Sequence, residues 1–186
     1  SQISLRLNPR LPIISILEFD YCTTTGETRL SIEARLLALG LELPQPMNTA
    51  SLPFDLVRAD GNHLYLSGHV PTDLNGAMSG PLGKVGAAVS EAQAYEIAAA
   101  IALGLCASIK AHVGDLDRVE KWLKIFGMVN TAPGFTKIPA VINGCSDTVL
   151  QIFGPKIGAH SRSAVGMAEL PFRVPVEIEA EVRIRS

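Results

Sequence analysis

The chain has 186 residues, of which 47% are hydrophobic and 18% charged, and its formal net charge is -2. This apolar content is enough for one domain with a buried core and excludes an intrinsically disordered chain. The near-neutral charge, without a cluster of basic residues, disfavours nucleic acid or anionic lipid as a partner.

The cysteines and the apolar runs bear on the compartment. Cys22, Cys106 and Cys145 are odd in number and far apart, which does not suit a disulfide framework and predicts buried thiols in a reducing compartment. The longest uncharged apolar run covers residues 97–109, which is shorter than the roughly 20 residues that span a bilayer. We therefore expect a soluble, cytoplasmic protein without a membrane partner.

Residues 1–28 are predicted to be an N-terminal extension of unknown role, followed by one domain over residues 29–186. In the extension, Arg6 and Arg10 precede a mostly apolar patch, which makes a poor signal peptide and only a weak hint of a transit sequence. Organelle targeting by this extension therefore stays open beside the cytoplasmic expectation.

A short helical prefix is predicted within residues 29–40. Ser31 suits an N-cap and Gly40 suits a helix end, and the following LELPQP segment cannot continue a helix. Two short extended segments then flank an Asp-Gly-Asn turn, which predicts a β-hairpin over residues 54–68. The glycine-rich residues 73–86 are predicted to form a loop.

The clearest predicted helix begins after Ser90 and ends at Gly114. Ser90 and Gln93 have the spacing of a capping box, and large apolar residues then recur at helical spacing. Gly104 lies inside this helix, where it costs about 1 kcal/mol relative to alanine or marks a close backbone approach.

The remaining chain alternates between extended and helical patterns. Residues 118–129 alternate in polarity as a strand does, and residues 138–153, between Pro139 and Gly154-Pro155, are predicted to be helical. Two closing strands are predicted to pair as an antiparallel hairpin over residues 162–169 and 175–184.

This order of elements predicts one α+β domain in which two helices cover one face of a sheet. No helix of the same chain then covers the other face of the sheet. A sheet face with alternating side chains and no covering helix must meet solvent or another subunit.

Several chemistries lack their motifs. The four histidines and three cysteines show no metal-ligand spacing, so no zinc or other metal is expected. The glycine-rich GAMSGPLGKVG does not have the spacing of a phosphate loop, and neither a serine-hydrolase elbow nor a dinucleotide fingerprint occurs.

The predicted closing hairpin carries the remaining candidates, with two interpretations. In the first, the glutamates at 177, 179 and 181 are the solvated face of an amphipathic edge strand, and Arg162 pairs with one of them. In the second, Arg162 is a two-pronged donor for a carboxylate and Glu177, across the hairpin, is a base or holds a water molecule. The residues by themselves leave both open.

Three motifs, in this order, resemble the reactive intermediate deaminase (RidA or YjgF) family: LYLSGHVP (64–71), AHVGDLDRVEK (111–121) and RSAVGMAELPFRVPVEIEAEV (162–182). The likeness covers about residues 52–184. The segment at 31–40 resembles the helical prefix of a longer, less characterised branch of that family.

The resemblance implies a chorismate-mutase-like mixed sheet with two helices on one face, assembled as a barrel-forming homotrimer with ligand clefts between subunits. It further implies that Arg162 grips the carboxylate of a 2-imino acid and that Glu177 orients water, with no cofactor. Ser67, Gly68 and Ser163 fall on positions of the same motifs.

Three positions depart from the family pattern, and they affect rate and substrate more than the carboxylate grip. Phe54 stands where many active members have a tyrosine, and it is expected to stack over the substrate. His69 replaces a glutamine and lines the expected cleft, and Ala164 replaces a cysteine.

The expected activity is hydrolysis of a 2-imino or enamine acid to a 2-oxo acid and ammonia. A non-catalytic metabolite-binding or regulatory trimer is the alternative, which Phe54 and Ala164 favour somewhat. The endoribonuclease activity attached to the family name is less well supported, because the chain lacks a basic groove.

Overall fold

A computed structural model describes residues 30–186 of the chain. Residues Ser31–Ser186 form one compact unit. Its helices and strands, in chain order, are α1 (Ile32–Ala38), β1 (Val57–Asp60), β2 (His63–His69), α2 (Glu91–Val113), β3 (Val119–Asn130), α3 (Ile138–Gly158), β4 (Ser161–Met167) and β5 (Val176–Ile184). The predictions made for the N-terminal extension lie outside the described residues.

One five-stranded sheet carries the order β1-β2-β5-β3-β4. β3 and β4 run parallel, whereas the other neighbouring pairs are antiparallel. The fold is therefore a mixed α+β architecture, as predicted. The predicted loop at residues 73–86 contains neither helix nor regular strand.

The helix starts follow the predicted capping. The Ser31 hydroxyl accepts a hydrogen bond from the Ala34 amide at 3.1 Å. At the start of α2, the Gln93 amide donates to Ser90 Oγ at 3.2 Å and the Ser90 amide donates to Gln93 Oε1 at 3.0 Å. These reciprocal bonds satisfy amide groups that have no partner within the helix.

α3 is longer than predicted. The predicted end of the first helical segment at Gly154-Pro155 is confirmed, because Gly154 leaves helical geometry (φ 72°, ψ 170°), and a second short helical segment then continues up to Gly158. A proline is tolerated where a new helical segment begins, since its missing amide hydrogen has no helical acceptor there. The extra turn delivers the chain to the start of β4.

The main core lies between the sheet and the helices α2 and α3. β5 contributes alternate buried residues to it, namely Val176, Ile178, Ala180, Val182 and Ile184. The two helices touch at Gly144, where an added Cβ would overlap the carbonyl oxygen of Tyr95 and lie 2.9 Å from its carbonyl carbon. Cys106 and Cys145 are free thiols buried in this core, as predicted, and Cys22 lies outside the described residues.

β4 and β5 do not form the predicted hairpin, because β3 lies between them. Arg162 of β4 and Ala180 of β5 are both paired with Ile125 of β3, whereas Glu177 is paired with Met128. Positions 125 and 128 differ by an odd number of residues, and successive side chains along a strand alternate between faces. Arg162 therefore shares the helix-covered face with Ile125, and Glu177 lies on the opposite face.

That opposite face is not covered by a helix in the described chain. Only the crossover before β5 packs on it, where Leu170 and Val174 join Met128 in a small apolar cluster. Tyr65 on the same face is 45% exposed. The prediction of an uncovered sheet face is confirmed for residues 30–186.

Among the described residues, α2 is the helix that is long and apolar enough to cross a bilayer by length and composition. Over its most apolar window, however, 56% of the helix is buried inside the domain. This burial is what the central helix of a core requires, and it accounts for the apolar composition.

Two helical glycines are expected to respond oppositely to alanine. Gly144→Ala should lower the free energy of unfolding by about 3 kcal/mol, because the new Cβ overlaps backbone atoms that cannot move independently. Gly104→Ala should raise it by up to about 1 kcal/mol, since its nearest new neighbour is His69 Cδ2 at 3.9 Å and alanine favours the helix. Thermal unfolding followed by circular dichroism measures both, and a stable Gly144→Ala variant would contradict the packing described.

Candidate functional site

The Glu177 carboxylate lies directly over the backbone of Gly68. A Cβ at position 68 would overlap Glu177 Oε1 and lie 2.9 Å from its Cδ, so only glycine leaves room for this carboxylate. Burial, and secondly the negative charge of Glu179, raises the pKa of Glu177 above its usual value. Glu177 is therefore a carboxylate that takes up a proton more readily than a free glutamate.

A β-bulge in β2 creates this arrangement. Leu66 pairs with Ala180 and His69 pairs with Ile178, so β2 has one residue more than β5 over the same length. The extra residue lets Leu66 and His69 both face the core while Ser67 and Gly68 lie between them. Bulges commonly re-aim side chains in this way beside functional sites.

Ser67 ties this bulge to the segment before β1. Its hydroxyl donates to the Asp55 carbonyl oxygen at 2.7 Å, and its amide donates to the Leu56 carbonyl oxygen at 3.0 Å. Phe54 precedes this tether directly, and its side chain is 47% exposed. The structure thus places Phe54, Ser67, Gly68 and Glu177 at one end of the β1-β2-β5 part of the sheet.

The His69 ring points away from the Glu177 carboxylate. It is 5% exposed, with Nδ1 2.7 Å from the Ser67 carbonyl oxygen and Nε2 2.8 Å from Ser108 Oγ of α2. Burial lowers its pKa, which keeps it neutral. The bulge turns this ring into the core, and the expectation that His69 lines a ligand cleft between subunits stays a prediction.

Arg162 is held against α3 at the sheet edge formed by β4. Its Nη1 donates to Asn143 Oδ1 at 2.8 Å and to Ser146 Oγ at 3.0 Å. No acidic side chain among residues 30–186 lies within ion-pair distance of this guanidinium. The arginine is partly buried and uses neutral partners, and its Nε and Nη2 donors form no hydrogen bond among the described residues.

Ser163, the residue after Arg162, faces the other way. Its hydroxyl accepts a hydrogen bond from Lys124 Nζ at 3.0 Å. Ser163 therefore belongs with the open face of the sheet, where Glu177 lies. Within one chain the structure groups Phe54, Ser67, Gly68 and Glu177, but separates Arg162 from them by β3 and by the thickness of the sheet.

The sequence predictions missed the groups that hold Arg162. Asn143 and Ser146 are three residues apart on α3, which places them on one face of the helix. The available signal was the pair of polar residues at this spacing within α3. His160, which contacts Ser146, was considered only as a metal ligand.

Within residues 30–186, one group of acidic residues is close enough together to coordinate a metal ion, namely Glu33, Asp115 and Asp117. Its members already have protein partners: Glu33 Oε1 accepts from the Leu116 amide at 3.3 Å, and Asp117 Oδ1 accepts from the Ile32 amide at 3.3 Å. These bonds attach α1 to the turn before β3, so the group has a structural role without a metal.

The mixed sheet, with one helix-covered and one open face, has the architecture of the YjgF/chorismate mutase-like family. A model of that family, described as "YjgF/chorismate mutase-like, putative endoribonuclease", matches residues 33–175, and the chain belongs to this family. The match includes most of α1 and every later helix and strand except β5, which follows it.

Individual relatives agree with this assignment. The chain is 40% identical to Trypanosoma cruzi protein TCP17 over 83% of its own length and 95% of that protein. It is similar to the crystal structure of Atu1372 from Agrobacterium tumefaciens, a protein with unknown function, at 37% identity and a TM-score of 0.75 over 83% and 92% of the two chains. It also resembles the "putative endoribonuclease" of Shewanella oneidensis MR-1, at 27% identity and a TM-score of 0.77 over 83% and 100%.

Gly68→Ala is expected to displace the Glu177 carboxylate without unfolding the protein. The overlapping atoms are the far end of a flexible side chain, which can move toward solvent. Leaving its partly buried position, Glu177 should regain a lower pKa, because burial is the main cause of the present rise. Carbon-detected NMR titration of Glu177 Cδ measures this change.

Ser67→Ala is the matched control for this substitution. It removes the bond to Asp55 but adds no atom above Gly68, so the Glu177 pKa should stay raised. Equal Glu177 pKa values in the Gly68→Ala variant and the wild type would contradict the contact.

Proposed function

We propose that this protein binds small carboxylates between subunits of a homotrimer and hydrolyses 2-imino acids to 2-oxo acids and ammonia. The observation that carries the proposal is Arg162: a partly buried guanidinium held by neutral groups, with no carboxylate partner among residues 30–186. A partly buried cation without a counter-ion is suited to an anionic ligand, and a guanidinium forms two parallel hydrogen bonds with a carboxylate.

The reaction needs a water molecule and a proton carrier. As the water oxygen bonds to the imine carbon, the Glu177 carboxylate accepts a proton from the water and passes it to the imine nitrogen, which gives a neutral carbinolamine and restores the carboxylate. The resulting carbinolamine then loses its C–N bond, while its hydroxyl proton passes through Glu177 to the leaving nitrogen. Ammonia and a 2-oxo acid result with no change of oxidation state, and the raised pKa of Glu177 suits a group that must accept and return a proton.

The ligand in this proposal bridges two copies of the chain. Arg162 lies on the helix-covered side of β4 and Glu177 on the open side of β5, with β3 between them. One ligand of a few carbon atoms cannot reach both in the same copy. β4 is an edge strand with one side unpaired in the described chain, so it is available to approach the Glu177 end of a neighbouring copy.

Arg162→Ala is expected to reduce kcat/KM for 2-iminobutanoate about 100-fold, because the charged hydrogen bonds to the carboxylate are lost. The imine is generated in situ from L-threonine by a threonine dehydratase, and formation of 2-oxobutanoate above the spontaneous rate is followed. Arg183→Ala is the matched control, since this arginine is paired with Glu120 and should not affect turnover.

Equal rates for the wild type and Arg162→Ala would overturn the proposal. The non-catalytic alternative predicts a different result. In that case 2-oxobutanoate binds in an Arg162-dependent manner, yet the wild type hydrolyses no imine above the spontaneous rate. Phe54, which lacks the hydroxyl of a tyrosine, is the residue that favours this alternative.

The family description also names endoribonuclease activity. The glutamates 177, 179 and 181 follow one another on the open side of β5, where they repel a phosphate backbone. Because of this negative charge, RNA cleavage is less well supported than the binding of a small carboxylate.

A further inference from the structure

Arg162 is the end of a chain of hydrogen bonds that begins at a backbone carbonyl. His160 Nδ1 lies 2.7 Å from the Gly158 carbonyl oxygen, and His160 Nε2 lies 3.0 Å from Ser146 Oγ. Ser146 Oγ in turn lies 3.0 Å from Arg162 Nη1. Four groups from the end of α3, the turn after it and β4 are thereby connected.

The proton positions along this chain follow from the donors available. A carbonyl oxygen cannot donate, so His160 Nδ1 carries the proton that is directed at Gly158. Burial, which is the main cause, and the nearby Arg162 charge both lower the pKa of His160, so the ring is neutral and its Nε2 is an acceptor. The Ser146 hydroxyl must then donate to His160, which leaves its oxygen lone pairs directed at Arg162.

This arrangement occupies both hydrogens of one guanidinium nitrogen, Nη1. Nη1 has two hydrogens, and Asn143 Oδ1 accepts one while Ser146 Oγ accepts the other. The donors that remain are the Nε hydrogen and the two on Nη2. The Nε hydrogen and one Nη2 hydrogen lie side by side, which is the geometry for two parallel hydrogen bonds to a carboxylate.

We infer that Asn143, Ser146 and His160 are positioning residues that fix the Arg162 guanidinium so that its Nε and Nη2 edge receives the ligand carboxylate. This inference rests on the proposed function for the identity of the ligand. The inference requires neutral partners. An acidic side chain in the place of Asn143 or Ser146 would neutralise the Arg162 charge and so weaken its attraction for the ligand carboxylate. A fixed guanidinium also loses less conformational entropy on binding.

The Kd of 2-oxobutanoate, measured by isothermal titration calorimetry, tests the inference. Ser146→Ala and His160→Phe each remove one link and should raise this Kd about tenfold, as expected for loss of one hydrogen bond that orients a charged group. Ser146→Thr keeps the hydroxyl and His160→Gln keeps an acceptor toward Ser146, so both should stay within about threefold of the wild type. Asp147→Asn is the matched control, since this neighbouring side chain bonds Tyr95 instead.

Asn143→Ala is a second variant, chosen because it should not disturb the fold. Asn143 is exposed, so its loss does not open the core, yet it frees the same Nη1 and should also weaken binding. The inference is overturned if Ser146→Ala and Asn143→Ala bind like the wild type while Arg162→Ala does not. It is also overturned if Ser146→Thr is as weak as Ser146→Ala, because the hydroxyl would then not matter.

A second readout needs no ligand and so separates this inference from the proposed function. The ¹⁵Nε order parameter of Arg162, measured by NMR relaxation, should fall in Ser146→Ala and His160→Phe and recover in the Thr and Gln variants. Wild-type protein that fails to bind 2-oxobutanoate but shows this pattern would refute the ligand and keep the positioning network. An unchanged order parameter in all variants would refute the network itself.

Discussion

The position of β3 between β4 and β5 is the constraint on which the rest of the structure depends. It places Arg162 against α3 on the helix-covered side and Glu177 on the open side, with a strand between them. Each residue then has the surroundings that its proposed role needs: Arg162 has neutral hydrogen-bond partners, and Glu177 has a partly buried position over Gly68. In the proposed function, the same separation means that one copy of the chain holds two half-sites.

Local features were predictable because neighbouring residues determine them. Ser90 and Gln93 specify the start of α2, and the turn at Gly61 specifies the β1-β2 hairpin. Strand pairing was not predictable in the same way, because alternation shows which side chains face the core but not which strand lies alongside. The crossover before β5 carries the chain past β3, and only the assembled sheet shows it.

The candidate site was predictable in part. The motifs identified Arg162, Glu177, Ser67 and Gly68, and the structure explains the glycine as the space for the Glu177 carboxylate. The sequence did not indicate the bulge in β2, which turns His69 into the core, since one extra residue changes which face a side chain meets. The hydrogen bonds from α3 to Arg162 were not predicted because they join residues that only the packing of helix against sheet brings together.

Subunit complementation tests the central claim, that Arg162 of one copy and Glu177 of another form one site, most directly. Arg162→Ala and Glu177→Gln chains with different tags are co-expressed, and the mixed trimers are purified and assayed with 2-iminobutanoate. Each parent should be inactive, whereas the purified mixed trimers should have about a third of wild-type activity, because one of the three ordered pairs of neighbours in each mixed trimer has both residues intact. Mixed trimers that are no more active than their parents would contradict the account.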